Sequence, residues 1–331
     1  MTRKTLRIAT RQSNLALVQT RWVAARLREH VPDLEVEEVH IVTKGDQVTD
    51  RPLYQIGGKG LFVSSVEGAV ARGEADIAVH SLKDVPGDVE LAEGLDLLCF
   101  PEREAPHDVL VTRDGTELMG LEAGGKIGTT SLRRTAQLKA QRPDLAFGTL
   151  RGNVETRLGK LDEGQFVAIV LAEAGMKRLG YLEGRHVQVL PPETCLPAVG
   201  QGTLGIEGRV DDEELKALLK KIECPRTRLI TEAERAYLKR LQGSCRVPIA
   251  GHGQLFEDDG RLRMRGLVGS IDGERLLSSS SDLRLEGRDE AARIEEARKL
   301  GVEVADALIA QGARELMREA EATLARREKM N

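Results

Sequence analysis

Through the first two-thirds of the chain, short apolar runs alternate with segments whose apolar residues recur every three or four positions. Residues 5–9, 75–80, 108–113, 126–129, 146–150, 166–172 and 186–190 are strand-sized. This alternation predicts an α/β architecture of parallel sheets wrapped by helices. Ser13 predicts the N-cap of the first helix, with an apolar face of Leu15, Val18, Trp22 and Ala25. Residues 43–61 are polar, glycine-rich and without period, the mark of a lid or binding loop, or of an ordinary long surface loop. Pro191, Pro192 and the glycines at 200, 202 and 205 mark a second irregular segment, a hinge or a crossover.

After about residue 225 the pattern changes. Residues 227–241 suit a helix, and 247–256, 261–269 and 274–284 read as strands joined at Asp258-Asp259-Gly260 and Asp272-Gly273. A long helix follows with Ile294, Ala297, Gly301, Val304 and Leu308 on one face, and a charged helix begins near 313. The expectation is a separate, smaller α+β unit with a three-stranded antiparallel sheet.

Composition narrows the function more than the fold. At 331 residues the chain is long for one core and predicts two or three domains. A formal net charge of -4 gives no global field for nucleic acid, and one Trp, three Tyr and five Phe are too few for a base-stacking surface. Any anion site must therefore gather its positive charge locally. The start, MTRKTLRIATRQS, has no apolar stretch of signal-peptide length, and no apolar run reaches membrane-spanning length. Cys99, Cys195, Cys224 and Cys245 show neither a CxxC pair nor metal-ligand spacing, so a cytoplasmic protein without a metal site is expected.

The positive charge is indeed local. Arg11, Arg133 with Arg134, Arg151 and Arg178 each lie in a segment that follows a predicted strand, and Arg157 lies close behind Arg151. In open α/β sheets, ligands bind at the carboxyl ends of strands. Three of these segments also place Ser, Thr or Asn where a helix begins, and helix N-termini favour carboxylate or phosphate. Guanidinium pairs bidentately with carboxylate, so the set describes a multi-anion site. No Walker-type GxxxxGK[ST] or GxGxxG fingerprint accompanies it. Asp84, in HSLKDVP beside Lys83, reads either as a turn cap or as a carboxylate kept ionised by cationic neighbours, able to hold an N–H donor or a developing cation. Cys245, in a loop beside Gly243 and Arg246, reads either as a small buried hydrophobe or as an accessible thiol. The six histidines form no triad; His80 alone lies inside a motif.

LRIATRQSNLAL, GGKGLF, ADIAVHSLKDVP, TTSLRR, LRGNVETRL, AGMKRLG, LPAVGQG and GSCRVPIA resemble, in order and spacing, the porphobilinogen deaminase (hydroxymethylbilane synthase) family, from about residue 5 to 255. The resemblance implies two α/β domains like those of periplasmic binding proteins, 1–102 with 200–222 and 103–199, and a smaller α+β domain, 223–331. It implies a dipyrromethane cofactor in thioether linkage to Cys245, and porphobilinogen as the substrate of a monomeric enzyme. Asp84 matches the catalytic aspartate. Arg11, Ser13, Lys83, Thr129, Ser131, Arg133, Arg134, Arg151, Arg157 and Arg178 match groups that bind pyrrole carboxylates, and Lys59 and Phe62 match the active-site loop. Ser244 and Arg246 depart from the usual glycine and uncharged residue around the cysteine, and Thr130 replaces a common serine.

Two other readings compete. An anionic-solute binding protein of similar fold would explain the arginines but gives Cys245 and HSLKDVP no role. A cysteine hydrolase lacks a recognisable histidine partner.

Overall fold

The computed structural model describes residues 4–42, 63–87, 91–243 and 246–330, with side chains through 326. Its strands are β1 (Thr5–Arg11), β2 (Glu35–Ile41), β3 (Ile77–Ser81), β4 (Leu95–Cys99), β5 (Asp108–Thr112), β6 (Lys126–Gly128), β7 (Ala146–Gly148), β8 (Ala168–Ala172), β9 (His186–Leu190), β10 (Leu204–Arg209), β11 (Ile249–Phe256), β12 (Arg261–Gly269) and β13 (Leu276–Arg284). They form three sheets, ordered β2-β1-β3-β10-β4, β7-β6-β8-β5-β9 and β11-β12-β13.

The two five-stranded sheets share one plan. In the first, β1 is parallel to β2 and β3, while β10 runs antiparallel to β3 and β4. In the second, β6 is parallel to β7 and β8, while β5 runs antiparallel to β8 and β9. The sheets are therefore mixed rather than parallel. The reversed strand of each is the one the chain enters on crossing from the other sheet, over 100–107 into β5 and over 191–203 into β10. β2, β4 and β10 carry no strand-length apolar run, because Glu, Asp and Gly interrupt them.

Both faces of the central strands are covered. Leu110 packs with Ile127, Leu138 and Val170, while its neighbours Val109 and Val111 pack with Leu158, Ile169 and Met176 on the other side. That two-sided burial is why β5 and β8 read as unbroken apolar runs. The helix Asn14–His30 turns a different face inward than its apolar spacing predicts. Gln19, Thr20, Val23, Ala24 and Leu27 are buried, Trp22 is half-buried and Ala25 is exposed. The polar pair is accommodated by hydrogen bonds: Gln19 Nε2 donates to Ser81 Oγ at 2.8 Å, and Thr20 Oγ1 donates to Thr10 Oγ1 at 2.8 Å.

The third sheet is antiparallel throughout and lies against helices Pro225–Leu241, Glu290–Ala310 and Ala313–Met330. Gly301 sets the approach of the first two: a Cβ there would stand 2.0 Å from Ala233 O. Buried Tyr237 donates its hydroxyl to Ala250 O at 2.9 Å and accepts from Leu267 N at 3.1 Å, fastening helix to sheet. Among the described residues, no helix is long and apolar enough to cross a membrane.

Candidate active site

The segments after β1, β3, β6, β7 and β8 carry the candidate chemistry, and local capping fixes three of them. Ser13 Oγ accepts from Ala16 N at 3.4 Å, Ser131 Oγ from Arg134 N at 3.4 Å, and Asn153 Oδ1 from Thr156 N at 2.8 Å. Each cap closes one strand-to-helix turn and starts a helix whose free N–H groups stay at the strand ends. Buried Thr129 accepts from Ser131 N at 3.2 Å through its Oγ1, so its hydroxyl shapes the turn. The fourth segment forms the short helix Glu173–Arg178. The first and second sheets approach one another here, where Asn14 Nδ2 donates to Glu155 Oε1 at 2.8 Å.

Asp84 ends a single 3-10 turn, Leu82–Asp84, that follows β3 directly. It lines a small cavity of about 70 Å³ with Arg11, Ser13, Gln19, His80 and Ser81. His80 is buried, its Nε2 2.7 Å from Glu207 Oε2 on β10, so it braces two strands beneath the cavity. Lys83, next to Asp84, is exposed, and its Nζ donates to Gln201 Oε1 at 3.3 Å. Partial loss of water around the ammonium, then the charge of Arg134, pushes it down to about 8 against the opposing pull of Asp84 and Asp108.

Arg133 and Arg134 point inward. Both are buried around Asp108, the first residue of β5. Arg133 NH1 donates to Asp108 Oδ2 at 2.6 Å; Arg134 donates to Oδ1 through Nε at 2.9 Å and NH2 at 2.7 Å. Arg134 NH1 also donates to Val170 O, and Arg133 NH1 to Leu196 O. Burial disfavours the Asp108 charge, but the two guanidiniums overcome it and hold the carboxyl well below the usual range. Cys195 Sγ donates to Asp108 Oδ2 at 3.3 Å; burial, then Asp108, push this thiol up to about 12, so it adds no charge. The buried group therefore carries two positive charges against one negative.

That excess extends outward. Arg157 Nε donates to Gly152 O at 2.8 Å; burial, then Arg134 and Arg151, push it down to about 10 against Asp84. Arg178 NH2 donates to Gly202 O at 2.8 Å, and burial pushes it down to about 10 against Glu104. The Arg151 carbonyl accepts from Lys160 Nζ at 3.1 Å. Buried cations crowded by like charge are costly unless an anion arrives, so the arrangement is one a polycarboxylate completes. It places Asp84 and Arg157 within electrostatic reach of each other.

Lys59, Phe62 and Cys245 lie outside the described residues. Among the described ones, no cluster of His, Cys, Asp and Glu could hold a metal ion. No local pattern in the sequence singles out Asp108, Gln201, Gln19 or Glu207. Asp108 stands at the head of an apolar run, a position that signals a buried charge only once its partners are known.

A family model described as porphobilinogen deaminase, dipyromethane cofactor binding domain, matches residues 6–217, and one described as porphobilinogen deaminase, C-terminal domain, matches residues 229–310. The chain is 46% identical over 313 residues to a porphobilinogen deaminase of Brevibacillus brevis, covering 95% of this chain and 96% of the relative. It is 49% identical over 306 residues to that of Shouchella clausii, covering 92% and 94%. Among solved structures, the periplasmic VFT2 domain of Bordetella pertussis BvgS aligns at TM-score 0.39 and 15% identity over 66% of this chain and 86% of that one. An arginine-specific periplasmic binding protein of Salmonella typhimurium aligns at TM-score 0.37 and 14% identity over 66% and 93%. At these scores both are loose likenesses.

Proposed function

This chain belongs to the porphobilinogen deaminase family, and from that premise we propose how its own residues serve the reaction. The enzyme is a transferase, hydroxymethylbilane synthase. It condenses four porphobilinogen molecules head to tail into hydroxymethylbilane, with release of ammonia. A dipyrromethane cofactor supplies the covalent primer on which the chain is extended.

The residues present fit that cofactor. Each pyrrole unit brings two carboxylates, and the buried charge excess around Asp108 is the observation that carries the reading. Arg11, Lys83, Arg133, Arg134, Arg151, Arg157 and Arg178 would hold cofactor and substrate carboxylates, with Ser13, Thr129 and Ser131 shaping the turns that present backbone N–H groups. Contacts to Asp108 and Leu196 engage one nitrogen of Arg133, NH1, of a guanidinium with five donors. Asp84 would accept pyrrole N–H bonds and stabilise the cation that develops on the incoming unit as ammonia leaves. Cys245 would anchor the cofactor through its thioether, with Lys59 and Phe62 on the covering loop.

We also propose the division 1–102 with 200–222, 103–199 and 223–331; the pairing of β10 with β3 and β4, and of β5 with β8 and β9, supports it. A cytoplasmic monomer completes the proposal.

Intact-protein mass spectrometry tests the anchor. The expected result is an excess mass equal to a two-pyrrole adduct, lost in Cys245→Ser. An unmodified and fully active protein would overturn it.

A further inference from the structure

The two crossings between the first and second sheets meet at Gln201. Its backbone carbonyl accepts from Arg103 Nε at 2.9 Å, and its side-chain Nε2 donates to Pro106 O at 2.7 Å. The same Nε2 donates to Asp108 Oδ1 at 3.0 Å, while Oε1 accepts from Lys83 Nζ at 3.3 Å. Gln201 is only 1% exposed, so both ends of the amide have to be satisfied by protein. A glutamine can donate at one end and accept at the other without adding charge. Through it, the lysine beside Asp84 is linked to the aspartate that holds Arg133 and Arg134.

We propose that Gln201 is a positioning residue that holds the Lys83 ammonium beside Asp84 and ties its placement to the Asp108 cluster of the second sheet. The proposal rests on the reading of Lys83 as a carboxylate-binding group. The charged groups facing that ammonium are Asp84, next in sequence, Arg133 and Arg134 from the helix Leu132–Gln141, and Asp108 from β5. With the lysine at about 8, its charge fades across mildly alkaline pH, and with it the hold on substrate carboxylates.

The test follows kcat and KM from pH 6.5 to 9.5 for the adduct-bearing wild type, Lys83→Gln, Gln201→Leu and Gln201→Glu, with the adduct verified by intact mass. Gln201→Leu is expected to raise KM for porphobilinogen about fivefold with kcat little changed, the signature of lost uniform binding. Gln201→Glu sets a negative charge against the ammonium and raises its pKa, so the alkaline limb of kcat/KM moves up by about half a pH unit or more. A merely structural amide would not move that limb. If Lys83→Gln keeps the wild-type KM and limb, the underlying reading of Lys83 fails by itself. If Lys83→Gln raises KM while both Gln201 variants behave as wild type, the positioning role is overturned. Should neither Gln201 variant carry the adduct, the uncharged Gln201→Asn, which keeps an amide but withdraws it from Lys83, decides: a raised KM upholds the positioning role and a wild-type KM overturns it.

Discussion

Arg134 grips Asp108 through Nε and NH2 on a single oxygen, Oδ1, leaving Oδ2 to Arg133 and the Cys195 thiol. One carboxylate thus stands between two guanidiniums with almost no access to water. Removing its charge leaves both cations buried and unmatched, which costs far more than the pair contributes. Asp108→Asn is expected to lower stability by about 3–5 kcal/mol. The measurement is the urea midpoint at constant m-value; a midpoint equal to wild type would mean that other groups neutralise the arginines.

Asp84 ends the 3-10 turn after β3, exposed and within electrostatic reach of Lys83 and Arg157, so the role proposed for its charge lies in the reaction rather than in the fold. Asp84→Ala is expected to lower kcat by a factor on the order of a hundred or more, as for other removed charge-stabilising groups, while the adduct remains bound. Steady-state assays with intact mass on the same sample check this, and near-normal turnover would remove Asp84 from the mechanism.

Arg157 is crowded by Arg134 and Arg151, so it strains the protein before any carboxylate binds. Arg157→Leu should raise KM for porphobilinogen by about tenfold, the worth of one charge-assisted hydrogen bond. The unfolding temperature should stay equal or rise, since a like-charge repulsion is removed. A fall in unfolding temperature with unchanged KM would assign Arg157 to the scaffold.

His252, buried on β11, is pushed down to about 3, by burial first and then by Arg103 and Arg265. The folded value lies below the ordinary 6.5, so the native state favours the neutral ring. Its contribution is complete above about pH 6.5 and fades as pH falls toward 3, by roughly 5 kcal/mol at most. His252→Gln should flatten that part of the profile in urea unfolding at pH 7, 5 and 4. An unchanged profile would place the acid sensitivity elsewhere.

Gly301 is wedged against Ala233 O between the two long helices of the third sheet's cover. Gly301→Leu should separate them and lower stability by about 3 kcal/mol or more, as for overpacked cores. Calorimetry reads this directly, and a wild-type unfolding temperature would show that the helices can slide apart freely.

Much of the site was legible because its signals are local. Ser13, Ser131 and Asn153 cap helices through bonds reaching three residues ahead, so a short stretch of sequence specifies each turn. The same holds for the glycines that begin new hairpins and for the Ala297, Val304, Leu308 stripe of the helix Glu290–Ala310. Long motifs carried the family and, through it, the cofactor and the reaction.

What the sequence determined by itself was therefore the strand-turn-helix units, the antiparallel third sheet, the family and the gathering of arginines after strands. Only the tertiary structure decided which way those arginines face and what they meet. Asp108 lies 25 residues from Arg133 and 93 from Gln201, and no periodicity encodes such a meeting. It follows from the strand order: β5 enters the second sheet reversed, beside β8, and brings its first residue under the helix that carries both arginines. The buried face of the helix Asn14–His30 was settled the same way, because Gln19 and Thr20 can be buried only where Ser81 and Thr10 wait to bond them. Hydrogen bonds and charges buried in a core take their partners from the topology, and topology is a property of the whole chain.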